Sequence, residues 1–65
     1  MKIKLNGEML ETDALTIHAL VTARNQDPAT LVVEHNYTLV RQAAWDHIRL
    51  QEGDTIELLS FVGGG

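Results

Sequence analysis

Met1-Lys2-Ile3-Lys4-Leu5-Asn6-Gly7-Glu8-Met9-Leu10-Glu11-Thr12 opens the chain with a period-two alternation, a turn dipeptide and a second extended run. The alternation sets Met1, Ile3 and Leu5 on one face and two ammonium groups on the other, the pattern of a half-buried strand. Asn6-Gly7 tolerates the positive φ angles of a type I′ turn, so Glu8 to Thr12 is predicted to fold back antiparallel. A two-residue loop fixes the register: Leu5 faces Glu8, Ile3 faces Leu10 and Lys2 faces Glu11. The inner face then gains an aliphatic pair and the wet face an opposite-charge pair.

Working outward from this hairpin, Ile17, Leu20 and Val21 follow the i, i+3, i+4 spacing of one helical stripe, with Thr16 placed to cap a free backbone N–H. A short helix is expected from about residue 17 to 24. Asn25 suits the left-handed position at its C-terminal end, and Asp27-Pro28 blocks continuation because the ring excludes Asp27 from the α region. Residues 30–34 are β-branched and aliphatic, which predicts a third strand, and residues 37–40 a short fourth one after a turn near His35-Asn36. Residues 42–47 read as a brief helical turn carrying Trp45, and Glu52-Gly53-Asp54 as a turn launching the longest strand, Thr55 to Val62. Alternation is lost at Leu58-Leu59, as expected of a central strand, or of one that keeps an apolar face for a partner.

The predicted order of hairpin, helix, strand, short strand, helical turn and strand gives an α+β fold. In it one main helix crosses a small mixed sheet and the last strand lies beside the first. That is the ubiquitin-like β-grasp pattern. The 65 residues allow one domain, and a chain of this size buries only about 60% of its unfolded surface, so its core must be packed efficiently. Expected boundaries are 1–62 for the β-grasp domain and 63–65 for a flexible glycine tail. With no cysteine in the sequence, disulfides, thiolate metal sites and internal thiol nucleophiles are excluded. A net charge of -4 repels phosphate backbones and anionic lipid, which argues against nucleic-acid and membrane partners. No signal peptide and no apolar run of spanning length is visible, so the expected location is cytoplasmic.

Gly63-Gly64-Gly65 closes the sequence. At ordinary glycine usage three in a row arise at a given place about three times in ten thousand. A glycine-only segment has no side chains, so it can thread a narrow cleft and bring a terminal carboxylate to a reactive group inside another protein. A free carboxylate is a poor acyl donor, so transfer chemistry must first convert it, most simply to a mixed anhydride with AMP at the expense of ATP. No phosphate-binding loop is present in the sequence. Such chemistry would imply an external activating enzyme that uses ATP, and no cofactor is expected on this chain.

The Thr16-Ile17-His18 helix start, the Glu52-Gly53-Asp54-Thr55-Ile56-Glu57 turn and strand, and the Phe61-Val62-Gly63-Gly64-Gly65 terminus together resemble the ThiS family, the sulfur carriers of thiamine biosynthesis. The resemblance covers essentially the whole chain. It implies a protein co-substrate with no catalytic residues of its own. Gly65 would be adenylated by an E1-like, ThiF-like adenylyltransferase and converted to a thiocarboxylate with sulfur from a cysteine desulfurase. A ThiG-like thiazole synthase would then take the sulfur. Gly63 and Gly64 would occupy the partner's channel, and the free carrier is expected to be a monomer. The sequence departs from the simplest family pattern in its third glycine, Gly63, and in Asn36-Tyr37, where many relatives have a polar turn containing glycine. A molybdopterin-synthase small subunit and a ubiquitin-like modifier share the fold and the terminal diglycine and stand as alternatives, the former generally longer.

Among the remaining residues, Leu59, Phe61 and Val62 lie beside the tail. If Ile56 and Leu58 face the helix, Leu59 and Phe61 are left on the other face, free to dock an activating enzyme. His18, His35 and His47 have spacings that match no compact metal-ligand motif, so no metal site is expected. Trp45 is read as closing the core. Arg24, Arg41 and Arg49 are read as isolated surface residues.

Overall fold

The computed structural model describes residues 1–61. β1 (Lys2–Leu5) and β2 (Glu8–Glu11) form the opening hairpin. Its register is the one the turn chemistry dictates, with Ile3 opposite Leu10, Leu5 opposite Glu8 and Lys2 opposite Glu11. Asn6 and Gly7 have φ of 49° and 85°, as a type I′ turn requires. The Lys2–Glu11 pair is opposed in register, yet the two side chains form no ion pair; both are exposed, where such a pair gains little over hydration.

Helix α1 (Ile17–Ala23) is capped by Thr16, whose side chain accepts from the Ala19 N–H at 3.1 Å. Arg24 closes it, and Asn25 follows in the left-handed region at φ 57°. Ile17, Leu20 and Val21 are its buried stripe. The start of α1 is tied to the chain beyond Trp45, because Ile17 N donates to Ile48 O and Leu50 N to Leu15 O. Asp27-Pro28 ends the helical run as expected and also starts a 3-10 turn, Pro28–Thr30, that the sequence reading does not contain; Asp27 caps it by accepting from Ala29 N.

β3 (Leu31–His35) and β4 (Thr38–Val40) form a second hairpin. Its loop is Asn36-Tyr37, one residue later than the predicted turn, and both residues have positive φ, 51° and 71°. Left-handed backbone costs a non-glycine residue roughly 1–2 kcal/mol. A 3-10 helix, Gln42–His47, carries Trp45 into the core at 1% exposure; the indole N–H is satisfied by Val40 O at 3.3 Å. β5 (Thr55–Ser60) is the longest strand. It ends two residues short of the predicted boundary: Phe61 is outside the strand, and Val62 lies outside the described residues.

Among the described residues the sheet order is β2-β1-β5-β3-β4. β5 is therefore central, parallel to β1 and antiparallel to β3. Of the two readings of the lost alternation near Leu58-Leu59, the topology bears out the central strand; Leu59 itself is exposed. One face of the sheet contributes Ile3, Leu5, Leu31, Val33, Ile56 and Leu58 to a core completed by α1, Trp45 and Leu50. The other face carries Lys2, Lys4, Met9, Val32, Glu34, Leu39, Glu57 and Leu59, in step with the alternating burial of the strands. No helix of the described residues is long and apolar enough to cross a membrane.

Candidate functional site

The site begins where β5 leaves the sheet. Ile56 and Leu58 are buried, so their neighbours Glu57 and Leu59 must face away from the helix. Leu59 is 51% exposed and Phe61 50% exposed. Leu59 lies directly opposite the half-buried Val32 of β3. Phe61 is beyond the strand yet still anchored, since its N–H donates to Thr30 O at 2.9 Å. Thr30 is held in turn by the Asp27 cap, donating from both its backbone N–H and its hydroxyl to Asp27 O at 3.1 Å. Phe61 is thereby held by the short turn before β3 as well as by β5.

Leu59 and Phe61 are therefore both exposed, as the alternation predicts. Val62, Gly63, Gly64 and Gly65, the remaining predicted site residues, lie outside the described residues.

At its other end β5 is held by a polar node that sequence reasoning did not find. Asp54 is buried and accepts from His35 Nε2 at 2.8 Å, Asn36 Nδ2 at 3.2 Å and the Gln51 N–H at 2.9 Å. Burial by itself would raise the Asp54 carboxyl; hydrogen bonds from His35, Gln51 and Asn36, with the charge of His35, outweigh it and hold the group below its ordinary value of 3.8. Since Asp54 is then ionised, Nε2 is the ring nitrogen that carries the proton toward it.

Asn36 also exchanges two bonds with Thr55, donating from its backbone N–H at 2.7 Å and accepting at Oδ1 at 2.8 Å. Asn6 makes the matching pair with Leu58, donating from Nδ2 at 3.2 Å and accepting at Oδ1 at 2.8 Å. Both hairpin turns thus use an asparagine to grip the central strand. The turn residues were visible in the sequence, but nothing local shows which distant strand they reach.

The three histidines are separate. His18 sits on Asp46 at 3.1 Å, His35 on Asp54, and His47 ends the 3-10 helix. Among the described residues no three His, Cys, Asp or Glu side chains are grouped to hold a metal ion. Arg24, Arg41 and Arg49 are all exposed.

The arrangement is a sheet whose middle strand leads, through the exposed Leu59 and Phe61 and then Val62, to three glycines in the sequence. Comparison with known proteins gives it a family. The ThiS family model matches residues 3–65. The chain is 29% identical over 65 residues to the sulfur carrier protein ThiS of Bacillus subtilis, covering 97% of this chain and 98% of that one. It superposes on the crystal structure of the thiamine biosynthesis protein ThiS from Geobacter metallireducens with a TM-score of 0.85, at 29% identity and with 100% of each chain covered. It also matches thiazole synthases from Magnetococcus marinus, at 38% identity over 66 residues, and Paramagnetospirillum magneticum, at 32%. The whole of this chain spans only 20% of the length of those two proteins. Matched from its first strand through its glycine run, and sharing a fold with a solved ThiS, the chain belongs to the ThiS family of sulfur carrier proteins.

Proposed function

We propose that this protein carries sulfur for thiazole formation in thiamine biosynthesis on its own C-terminal carboxylate, as a co-substrate whose residues perform no catalysis. The observation that supports this best is the continuity of the family match through Gly65, on a sheet whose central strand leads to that end. In this reading residues 1–62 are the presenting domain and 63–65 the delivered segment.

The chemistry runs in two transfers. The Gly65 carboxylate attacks the α-phosphate of ATP on a separate ThiF-like adenylyltransferase, releasing pyrophosphate and forming an acyl adenylate. The terminal sulfur of a protein persulfide, charged by a cysteine desulfurase, then attacks the acyl carbon and AMP leaves, giving an acyl disulfide. A second thiol cleaves its S–S bond, so the carboxylate becomes a thiocarboxylate and the two thiols are left joined as a disulfide. A ThiG-like thiazole synthase consumes that sulfur; the two thiazole synthases that contain a homologous domain support this partner. Gly63 and Gly64 present only backbone, which suits a channel too narrow for side chains. Leu59, Phe61 and Val62 supply the apolar contact that holds the domain while the glycines reach in.

The test is the intact mass of the protein isolated from cells. A shift equal to replacement of one oxygen by sulfur, abolished by deletion of Gly65 together with growth without thiamine, is the expected result. Adducts of protein size would indicate a ubiquitin-like modifier instead. A deletion that impairs molybdenum enzymes and spares thiamine synthesis would place the chain with the molybdopterin-synthase subunits.

A further inference from the structure

The two-residue turn of the β3–β4 hairpin needs positive φ at both positions, and its second position holds Tyr37 where a glycine would be unstrained. Asn36 and Tyr37 both have positive φ, 51° and 71°. Asn36 repays that conformation by bonding Asp54 and Thr55. Tyr37 does not: the residue is 79% exposed, so its left-handed backbone is offset by little burial. The β1–β2 hairpin solves the same turn without this cost, with Asn6 gripping β5 and Gly7 in the second position at φ 85°. A glycine at residue 37 would keep the Asn36 clasp and release the strain.

Beside this tip the open face of the sheet carries a second unfavourable arrangement. Glu34 and Glu57 are direct register partners on β3 and β5, and like charges placed opposite one another repel. Among the described residues neither carboxylate has a Lys or Arg in ion-pair range. Leu39, 64% exposed, is the other register partner of Glu34. Lys4, opposite Thr55 on the same face, is the nearest cation in register and pairs with neither. An aromatic ring, an aliphatic side chain and two carboxylates in no ion pair fit a partner surface that offers an apolar pocket flanked by Lys or Arg. This end of the sheet is distinct from the tail-proximal pair. The β3–β5 register runs from His35–Ile56 to Leu31–Ser60, roughly 13–17 Å along the strands at their usual rise.

We propose that the β3–β4 hairpin end is a second docking point, occupied by the body of the thiazole synthase, with Tyr37 as its anchor and Glu34 and Glu57 meeting basic side chains. The proposal rests on the functional reading above. The occupant follows from the two thiazole synthases in which a homologous domain makes up 20% of the chain: there the domain is held covalently beside a thiazole-synthase body. Two contacts at opposite ends of one sheet fix the orientation of the carrier, which a single patch beside a glycine segment cannot do.

The experiment measures the affinity of the thiazole synthase from the same cell for the full-length carrier and for Tyr37→Gly, Tyr37→Phe and Glu57→Lys, alongside thermal unfolding. Tyr37→Gly is expected to unfold several degrees higher and to bind at least ~10-fold more weakly, a factor that corresponds to loss of one anchor residue. Tyr37→Phe should keep most of the affinity. Glu57→Lys should also be at least as stable as the parent and bind more weakly, a combination that a purely structural role would not give. Unchanged affinity in Tyr37→Gly overturns the proposal, as does a loss confined to the activating enzyme. Parent protein that neither binds thiazole synthase nor gives up sulfur to it overturns the functional reading as well, so the two failures are distinguishable.

Discussion

Asn6 holds Leu58 by both of its backbone groups: Oδ1 accepts from the Leu58 N–H at 2.8 Å and Nδ2 donates to the Leu58 carbonyl at 3.2 Å. A turn residue at one end of the sequence thereby completes the hydrogen bonding of the central strand at the other. Asn6 N adds a third bond, to Ile56 O at 2.9 Å.

Asn6→Gly keeps the positive φ and removes only the side-chain grip, so its cost isolates the clasp. Two net hydrogen bonds at about 1 kcal/mol each predict a loss near 2 kcal/mol. Asn6→Ala should lose a further ~1 kcal/mol from left-handed strain. Urea midpoints measured at constant m-value check the order; Asn6→Gly as stable as the parent would show that the clasp contributes nothing.

Asp54 predicts the acid limb of stability. Its folded-state pKa is lowered, so the ionised form is the one the fold favours, and the contribution is present above the unfolded value of 3.8. It is lost as pH falls below that value toward the lower folded-state pKa. Asp54→Asn should be less stable near neutrality and show a shallower fall through this acid range. Denaturant titrations at a series of pH values decide it, an unchanged acid slope being the contrary result.

Trp45 is the sole tryptophan of the chain and is 1% exposed, so its emission should shift to longer wavelength on unfolding and report the whole transition. Trp45→Ala should cost about 3–5 kcal/mol, the usual range for removing a large buried aromatic. In a domain whose total stability is of the order of 5 kcal/mol that leaves little folded protein. Trp45→Phe should fold with a lower midpoint by circular dichroism.

Leu59→Glu separates docking from folding. The side chain is half exposed on the open face, so the change should alter stability by no more than about 1 kcal/mol. Placed beside the chain end, it should slow thiocarboxylate formation by the activating enzyme at least ~10-fold. Normal rates in a folded variant would remove Leu59 from the proposed contact.

The strands, the helix and their order were legible because each rests on local chemistry. Asn6-Gly7 dictates its turn, the Ile17, Leu20 and Val21 stripe dictates its helix, and the alternation through Ile56 and Leu58 divides buried from exposed side chains. Leu59 and Phe61 could be placed on the open side for that last reason. The Asp54 node was hidden because its members come from two segments, His35-Asn36 and the loop from Gln51 to Asp54, that only the closed sheet brings together. Asn36-Tyr37 was read as a departure from the family turn, but its strain depends on φ, which no side-chain pattern displays. The 3-10 turn at Pro28 was missed because proline there was read only as a stop signal, although its fixed φ also suits the first position of a helical turn.

β5 follows the other four described strands in the sequence and lies in the middle of the sheet, so a nascent chain lacking it holds two hairpins with no strand between them. Pairing of β1 with β5 joins the two ends of the sequence, and such distant contacts form only once the intervening loop has been closed. Truncated translation products that stop before β5 should therefore remain unfolded and exposed to proteases. Folding is thereby coupled to completion of β5: the sheet closes only in polypeptides translated through Ser60.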